Sequence, residues 1–462
     1  MSFLSDLLFR CTPDELERIK GFDLQNLHRK VLCDVIEQVQ TDKLNEDTIQ
    51  KSYQLSQSHY DKINSVLFTT CVTALTNGTM RAGLSFFLEK DLLKLYKHQL
   101  KIYERRLAQQ PDPKVARELY WQAFQDFRRF PVSEYDEKLV KQYADKYIKV
   151  ATKLSEEDKA EIWLMYEFSR IFVASAKGNI GKFEPMFLKN MAAWEKKVLP
   201  KPWPRAHFHY YLCWVNYYDY CTANKTGLID SLQSALAAYD KAKGKIPEIY
   251  KVFAITKLAK AYSQDSRYDA ALKQYRDAFA QHGDQLVRNY YHPLMYSVIA
   301  ILAEQYAEAE KMLDTHLKHV VDKGPESVMG FDIMRTYSLL YMYKGDYKKA
   351  AKYIQQGLTY SRTDVSRLGD ILQRMVHNTF FVLTGDLDTA KTSLSRNYKF
   401  LRAKADDKIS AEYIQYFDML KLLIDHRLKG KKLPTDFEER MQFFRQGIMK
   451  LYGGLLDKIV KG

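Results

Sequence analysis

The sequence predicts an all-α protein: an α-α superhelical solenoid of helix pairs behind a small N-terminal helical module. Three observations carry this. The stretch Ile255 to Ala280, ITKLAKAYSQDSRYDAALKQYRDAFA, reads as two helices joined by a tight turn, with small and aromatic residues at helical spacing. The unit recurs, its anchors Tyr268, Tyr306, Tyr347 and Leu387 standing 38, 41 and 40 residues apart, and such self-similarity is the mark of a repeat array. Only 12 prolines and 19 glycines interrupt 462 residues, too few for long low-complexity tracts.

Composition narrows the class. The apolar share of 46% and charged share of 28% are those of a soluble globular protein. The length suits two or three ordinary domains or one continuous solenoid. No apolar run is long enough to cross a membrane. The start MSFLSDLLFR carries Asp6 inside its short apolar stretch and has no cleavage site, so no signal peptide is expected and a cytoplasmic location is the default. Cys11, Cys33, Cys71, Cys213 and Cys221 are odd in number and contain no CxxC pair, so buried reduced thiols are expected. The net charge of +14 suits an acidic partner or nucleic acid, or else lysines and arginines spread over solvated helix faces. The densest basic run is short, His426 to Lys432.

The module spans residues 1–79. Thr12-Pro13-Asp14-Glu15 starts a helix, with Thr12 as cap, Pro13 in the first turn and Glu15 completing a capping box. A helix over Leu27 to Val39 follows, and Asn45 caps a third running to about Tyr53. Leu55-Ser56-Gln57 forms a turn, and Ser58 opens a longer helix to Leu75. Two helices split by three residues resemble a helix-turn-helix or winged-helix core. That resemblance implies DNA contact through Ser58, His59 and Lys62 near the start of a recognition helix. The charges between Lys43 and Ala74 sum to zero, however, whereas groove binding draws several phosphate contacts from Lys and Arg. Docking to a protein, or packing on the end of the array, is the other reading.

Met80 to Gln109 reads as one long connecting helix, residues 80–110, with Leu84, Phe87, Leu88, Leu92, Leu95, Tyr96, Leu100 and Tyr103 on one stripe. Pro111 and Pro113 end it. Degenerate helix pairs fill residues 111–204, with Ser155 and Asp158 starting one helix and Gly178 and Gly181 marking a turn. Three prolines in Leu199 to Pro204 exclude a helix there. The next helix, Phe208 to Tyr220, carries Tyr210, Trp214, Tyr217 and Cys221 on one face and Tyr211, Val215 and Tyr218 on the next. It serves either as core between repeats or as an aromatic ligand surface.

Residues 205–400 hold the regular pairs. In the central unit Leu258, Ala259 and Tyr262 share a face of the first helix, and Tyr268, Ala271, Tyr275 and Ala278 share one on the second. This order of large, small and aromatic residues resembles the tetratricopeptide repeat, whose period is about 34. Ile255 stands where that pattern has Trp, and the longer period here is a further departure. The frame recurs through Tyr306, Ala309 and Leu313, through Tyr341, Gly345, Tyr347, Ala350 and Ile354, and through Gly385, Leu387, Ala390 and Leu394. A small N-terminal module ahead of such degenerate repeats is also similar in layout to uncharacterised proteins common in Bacteroidetes, and implies no activity. The last segment, residues 401–462, is expected to cap the array: a helix over Ala411 to Arg427, then one started by Thr435 and Glu438 whose Phe443, Phe444, Ile448, Leu451, Leu455 and Ile459 cover its end.

The tetratricopeptide resemblance implies that the first helix of each pair lines a concave face. The positions it assigns there are Phe253, Thr256, Lys260, Tyr291, Leu294, Arg335, Tyr343 and Met375. Lys260 and Arg335 would pair with acidic groups of a peptide, and Tyr291 and Tyr343 would stack on its side chains. The Lys and Asn set with which some family members clamp a peptide carboxylate is not reproduced. No phosphate loop, GxSxG elbow or HExxH is present, and His207 with His209 and His316 with His319 have no metal-binding context. No cofactor, metal or catalytic residue is expected. The sequence reads as a non-enzymatic protein- or peptide-binding scaffold; the alternative is a DNA-binding regulator whose repeats sense a peptide or partner.

Overall fold

The computed structural model describes residues 2–22, 24, 26–41, 43–76, 80–90, 92–222, 224–288, 291–321, 328–359, 367–402, 408–445 and 449–461. These residues contain 24 α-helices, one 3-10 turn and no strand. They form two compact units, Met1–Thr222 and Ala223–Gly462.

The first unit opens with α1 (Phe3–Leu8), α2 (Pro13–Lys20), α3 (Asn26–Gln40), α4 (Glu46–Ser52) and α5 (Gln57–Thr76). The Thr12–Glu15 capping box forms, and the Asn45 side chain accepts from the Thr48 amide at 3.1 Å. Helix α5 is the axis of the module. Tyr60, Ile63, Leu67, Phe68, Cys71 and Val72 recur three and four apart and are buried where α1, α2 and α3 pack on it.

The single long helix expected over Met80 to Gln109 is instead two, α6 (Met80–Glu89) and α7 (Leu93–Gln109). The Leu92 amide turns back to the Phe87 carbonyl at 2.8 Å, and Lys90 pairs with Glu15 at 2.8 Å. Folding α6 back on α7 buries Leu84 and Phe87 together with Leu95 and Tyr96. The apolar stripe runs on through the break, so its periodicity does not show it.

Helices α8 (Pro113–Phe127) and α9 (Glu137–Val150) pair next, followed by α10 (Glu156–Ala176), α11 (Ile180–Val198) and α12 (Pro204–Tyr220). Ser155 and Asp158 make a reciprocal capping box on α10. Gly178 takes φ +68° in the turn beyond α10, while Gly181 lies inside α11. Pro204 supplies the first helical residue of α12. The aromatic face of α12 is core: Tyr210, Cys213 and Tyr217 pack with Phe187 and Met191, and the Phe187 and Tyr217 rings stack 5.5 Å apart. Tyr220 is exposed, in edge contact with exposed Phe172.

The second unit consists of α13 (Lys225–Lys241), α14 (Glu248–Gln264), α15 (Tyr268–Arg288), α16 (Tyr291–Leu302), α17 (Tyr306–Val321), α18 (Val328–Lys344), α19 (Tyr347–Thr359), α20 (Arg367–Leu383), α21 (Leu387–Arg402), α22 (Lys408–Lys429), α23 (Phe437–Phe444) and α24 (Lys450–Lys461). From α13 to α22 each helix packs on the next, and α16, α18, α20 and α22 also touch in succession. This is the nearest-neighbour stacking of a helical repeat. The four sequence anchors prove to be the first residues of α15, α17, α19 and α21. Three positions on, Ala271, Ala309, Ala350 and Ala390 are all fully buried, which lets paired helices approach closely. Two positions before each anchor the chain turns left-handed, at Ser266, Glu304, Gly345 and Gly385, with φ of 59°, 61°, 75° and 80°. Each first helix thus ends through the same αL turn.

The C-terminal expectation needs correction. The last helix is broken into α23 and α24, and no side-chain cap forms at Asp436. Helix α24 does not cover the end of the array; it lies across α16, α18, α20 and α22. Two adjacent glycines permit this path. A Cβ at Gly453 would strike the Phe444 carbonyl, and one at Gly454 would strike the Tyr343 hydroxyl. Ile448 lies outside the described residues.

Candidate functional site

The concave-face residues separate into an open group and a covered one. In the second unit a cavity of about 370 Å³ opens between α14 and α16, over Tyr275 of α15. Its lining includes Phe253, Thr256, Lys260 and Tyr291, four of the residues assigned from sequence. Ile249, Phe253, Thr256 and Lys260 follow one another at steps of four, three and four, so one stripe of α14 forms the wall. Ile249, Val252, Lys257, Tyr275 and His292 complete the lining. Extending the Phe253–Lys260 stripe back one turn finds Ile249; Tyr275 comes from a second helix, so a rule restricted to first helices misses it.

The pocket is apolar in body and cationic at its edge. Lys257 and Lys260 line it, and among the described residues no Asp or Glu does. The Lys257 ammonium stands 5.7 Å over the Phe253 ring. Ile249 and Tyr291 are exposed at 60% and 40%, a large apolar offering to solvent. Burial holds the His292 imidazole below its usual range, which favours the neutral ring near neutral pH, and Nδ1 has no hydrogen-bond partner among the described residues. The Thr256 hydroxyl donates to the Val252 carbonyl of its own helix at 2.9 Å and adds no polar reach. This arrangement accepts an apolar group accompanied by negative charge.

No family model matches the chain. No curated protein matches it either. Among solved structures it is similar to the apo form of RapI, at 12% identity and a TM-score of 0.49, over 76% of this chain and 96% of that one.

The other assigned residues lie elsewhere. Leu294 and Met375 are buried. Arg335 pairs through Nη2 with Asp332, 2.8 Å away on its own helix. Tyr343 is under α24, its hydroxyl donating to the Leu451 carbonyl at 2.7 Å. In the first unit Ser58, His59 and Lys62 are all exposed near the start of α5, with Asp61 beside them. Lys138, Lys141, Lys146 and Lys149 make a basic face on α9, where Lys146 is held by Glu104 at 2.6 Å.

His209 is buried 3.2 Å from Glu161, and the half-buried His207 ring bonds the Val198 carbonyl at 3.0 Å, so each has a partner within the protein. The side chains of His316 and His319 lie outside those described. Among the described residues no three His, Cys, Asp or Glu side chains gather as a metal site, and no helix is long and apolar enough to cross a membrane. All five cysteines are free. Cys71 and Cys213 are buried, and burial pushes the Cys71 thiol up to about 12; Cys33, against expectation, is exposed.

Proposed function

We propose that the second unit is a non-catalytic receptor for a peptide or protein segment, which it holds in the pocket between α14 and α16. The observation that carries this reading is the composition of that pocket: exposed Ile249 and Tyr291, the Phe253 ring, two lysines and, among the described residues, no carboxylate. A segment offering a large apolar side chain next to an acidic one, or next to its own terminal carboxylate, complements that composition. The first unit then serves for docking. The exposed start of α5 carries Lys62 against Asp61, and this balance favours a protein contact over a DNA groove, which calls for several phosphate contacts.

The test is selection of binding sequences from a random-peptide phage library on the full chain, with the winners retested on Lys260→Glu and Tyr291→Ala. Apolar–acidic peptides that lose about ten-fold in affinity, or 1.4 kcal/mol, on Lys260→Glu support the reading. No enrichment, or enrichment of peptides that bind both variants unchanged, refutes it. Enrichment of defined duplexes from a random DNA library, abolished by Lys62→Glu, would favour the regulator instead.

A further inference from the structure

The first helices of the repeats leave an inner face, and this chain covers part of it with its own α24. The repeats do not need α24 to be complete, because each first helix from α14 to α20 already packs on the second helix of its pair. Helix α24 is an addition, reached through α23 and laid over α16, α18, α20 and α22. Its Leu451, Tyr452, Leu455, Leu456 and Ile459 are buried. This is the arrangement in which a groove accepts an amphipathic helix.

Three of the polar contacts read the backbone of α24. Tyr343 donates to the carbonyls of Lys450 and Leu451, at 3.2 and 2.7 Å. Arg427 of α22 donates to the carbonyl of Ile459 near the C-terminal end of α24, where helix carbonyls have no partner of their own. In return, Lys458 donates to the Tyr343 carbonyl at 2.6 Å. Besides the buried apolar side chains, selection acts at Gly454, where anything larger meets the Tyr343 hydroxyl. The surface therefore asks for a helix with a small residue at the Tyr343 crossing and large apolar residues three before, one after and five after it. Leu451, Gly454, Leu455 and Ile459 meet that rule.

We propose that the inner face of α16, α18, α20 and α22 is a binding surface for an amphipathic helix, held shut in cis by α24, and that a partner helix with the same small-residue crossing enters by displacing it. None of the lining residues of the pocket between α14 and α16 makes one of these hydrogen bonds, and the proposal does not depend on that pocket's ligand. Attachment favours the cis helix, because a short tether gives an effective concentration of about millimolar.

The test uses the full chain with a protease site introduced between Arg445 and Lys450, cut after folding. The probe is a fluorescent synthetic peptide of residues 449–462. The cut chain is expected to exchange α24 for the peptide saturably, and the uncut chain to bind it at least about ten-fold more weakly, as a tethered competitor dictates. A peptide carrying Gly454→Leu is expected not to bind. The uncut chain carrying Gly454→Leu, with helical circular dichroism unchanged, is expected to take up the wild-type peptide. Failure of the cut chain to exchange, loss of helicity when α24 is released, or equal binding of the Gly454→Leu peptide would each overturn the proposal. None of these outcomes bears on the phage selection against the pocket.

Discussion

Replacing Tyr96 by Phe removes one oxygen from the core of the first unit, and the structure sets the cost. Tyr96 and Asp126 are both fully buried, and the phenol donates to the Asp126 carboxylate at 2.9 Å. The ring itself packs edge-on against Phe127 and Phe130, contacts that Phe retains. The loss is therefore that of a hydrogen bond between two buried polar groups, about 1–3 kcal/mol. Gln122 still donates to Asp126 at 2.7 Å, which keeps the cost toward the lower end.

Tyr143→Phe is the matched control. Its phenol donates to Glu104 at 3.2 Å, but that carboxylate is partly exposed and already held by Lys146 at 2.6 Å. The expected cost is below about 1 kcal/mol, since an exposed charge recovers water. All five tryptophans, Trp121, Trp163, Trp194, Trp203 and Trp214, lie in the first unit, so tryptophan emission during urea unfolding follows that unit alone. With a urea dependence of about 2 kcal/mol per molar, Tyr96→Phe moves the midpoint down by roughly 1 M and Tyr143→Phe by less than half of that. Equal shifts for the two variants would refute the argument that burial of the carboxylate sets the magnitude.

Two further predictions concern the second unit. Arg276 donates to Glu308 at 2.8 Å and holds that carboxyl below its ordinary range, with Tyr296 adding a bond to the same group. The stabilisation is thus full above the ordinary glutamate pKa and is lost as pH falls through the lowered one; Arg276→Met should unfold more easily at neutral pH, by less than about 1 kcal/mol because Arg276 is half exposed, and the difference should close in acid when melts are followed by circular dichroism. The shared αL turn makes the third. Gly345→Val should cost about 1–2 kcal/mol, because a side chain strains that conformation, whereas Ser266→Gly at the equivalent turn should raise the melting temperature; the reverse order of melting temperatures would contradict the common turn geometry.

What was legible in the chain was local. Pairing α14 with α15 or α18 with α19 depends on residues within one unit of about 40 positions, and the anchors with their buried alanines fall where the spacing places them. Part of the pocket was legible for the same reason, because Phe253, Thr256 and Lys260 lie on one helical stripe; Tyr275 and His292 join them only when three helices assemble. The sequence by itself determined the all-α class and the repeat frame. Tertiary structure alone decided the break before α7, the burial of the α12 aromatics and the seat of α24. Each of those depends on partners far away in the chain: Lys90 meets Glu15, Phe187 stacks on Tyr217, and Tyr343 binds the carbonyl of Leu451, 108 residues on. Apolar periodicity records which face of a helix is buried and not what buries it, so a helix that covers the inner face of a repeat array reads the same as one that caps its end.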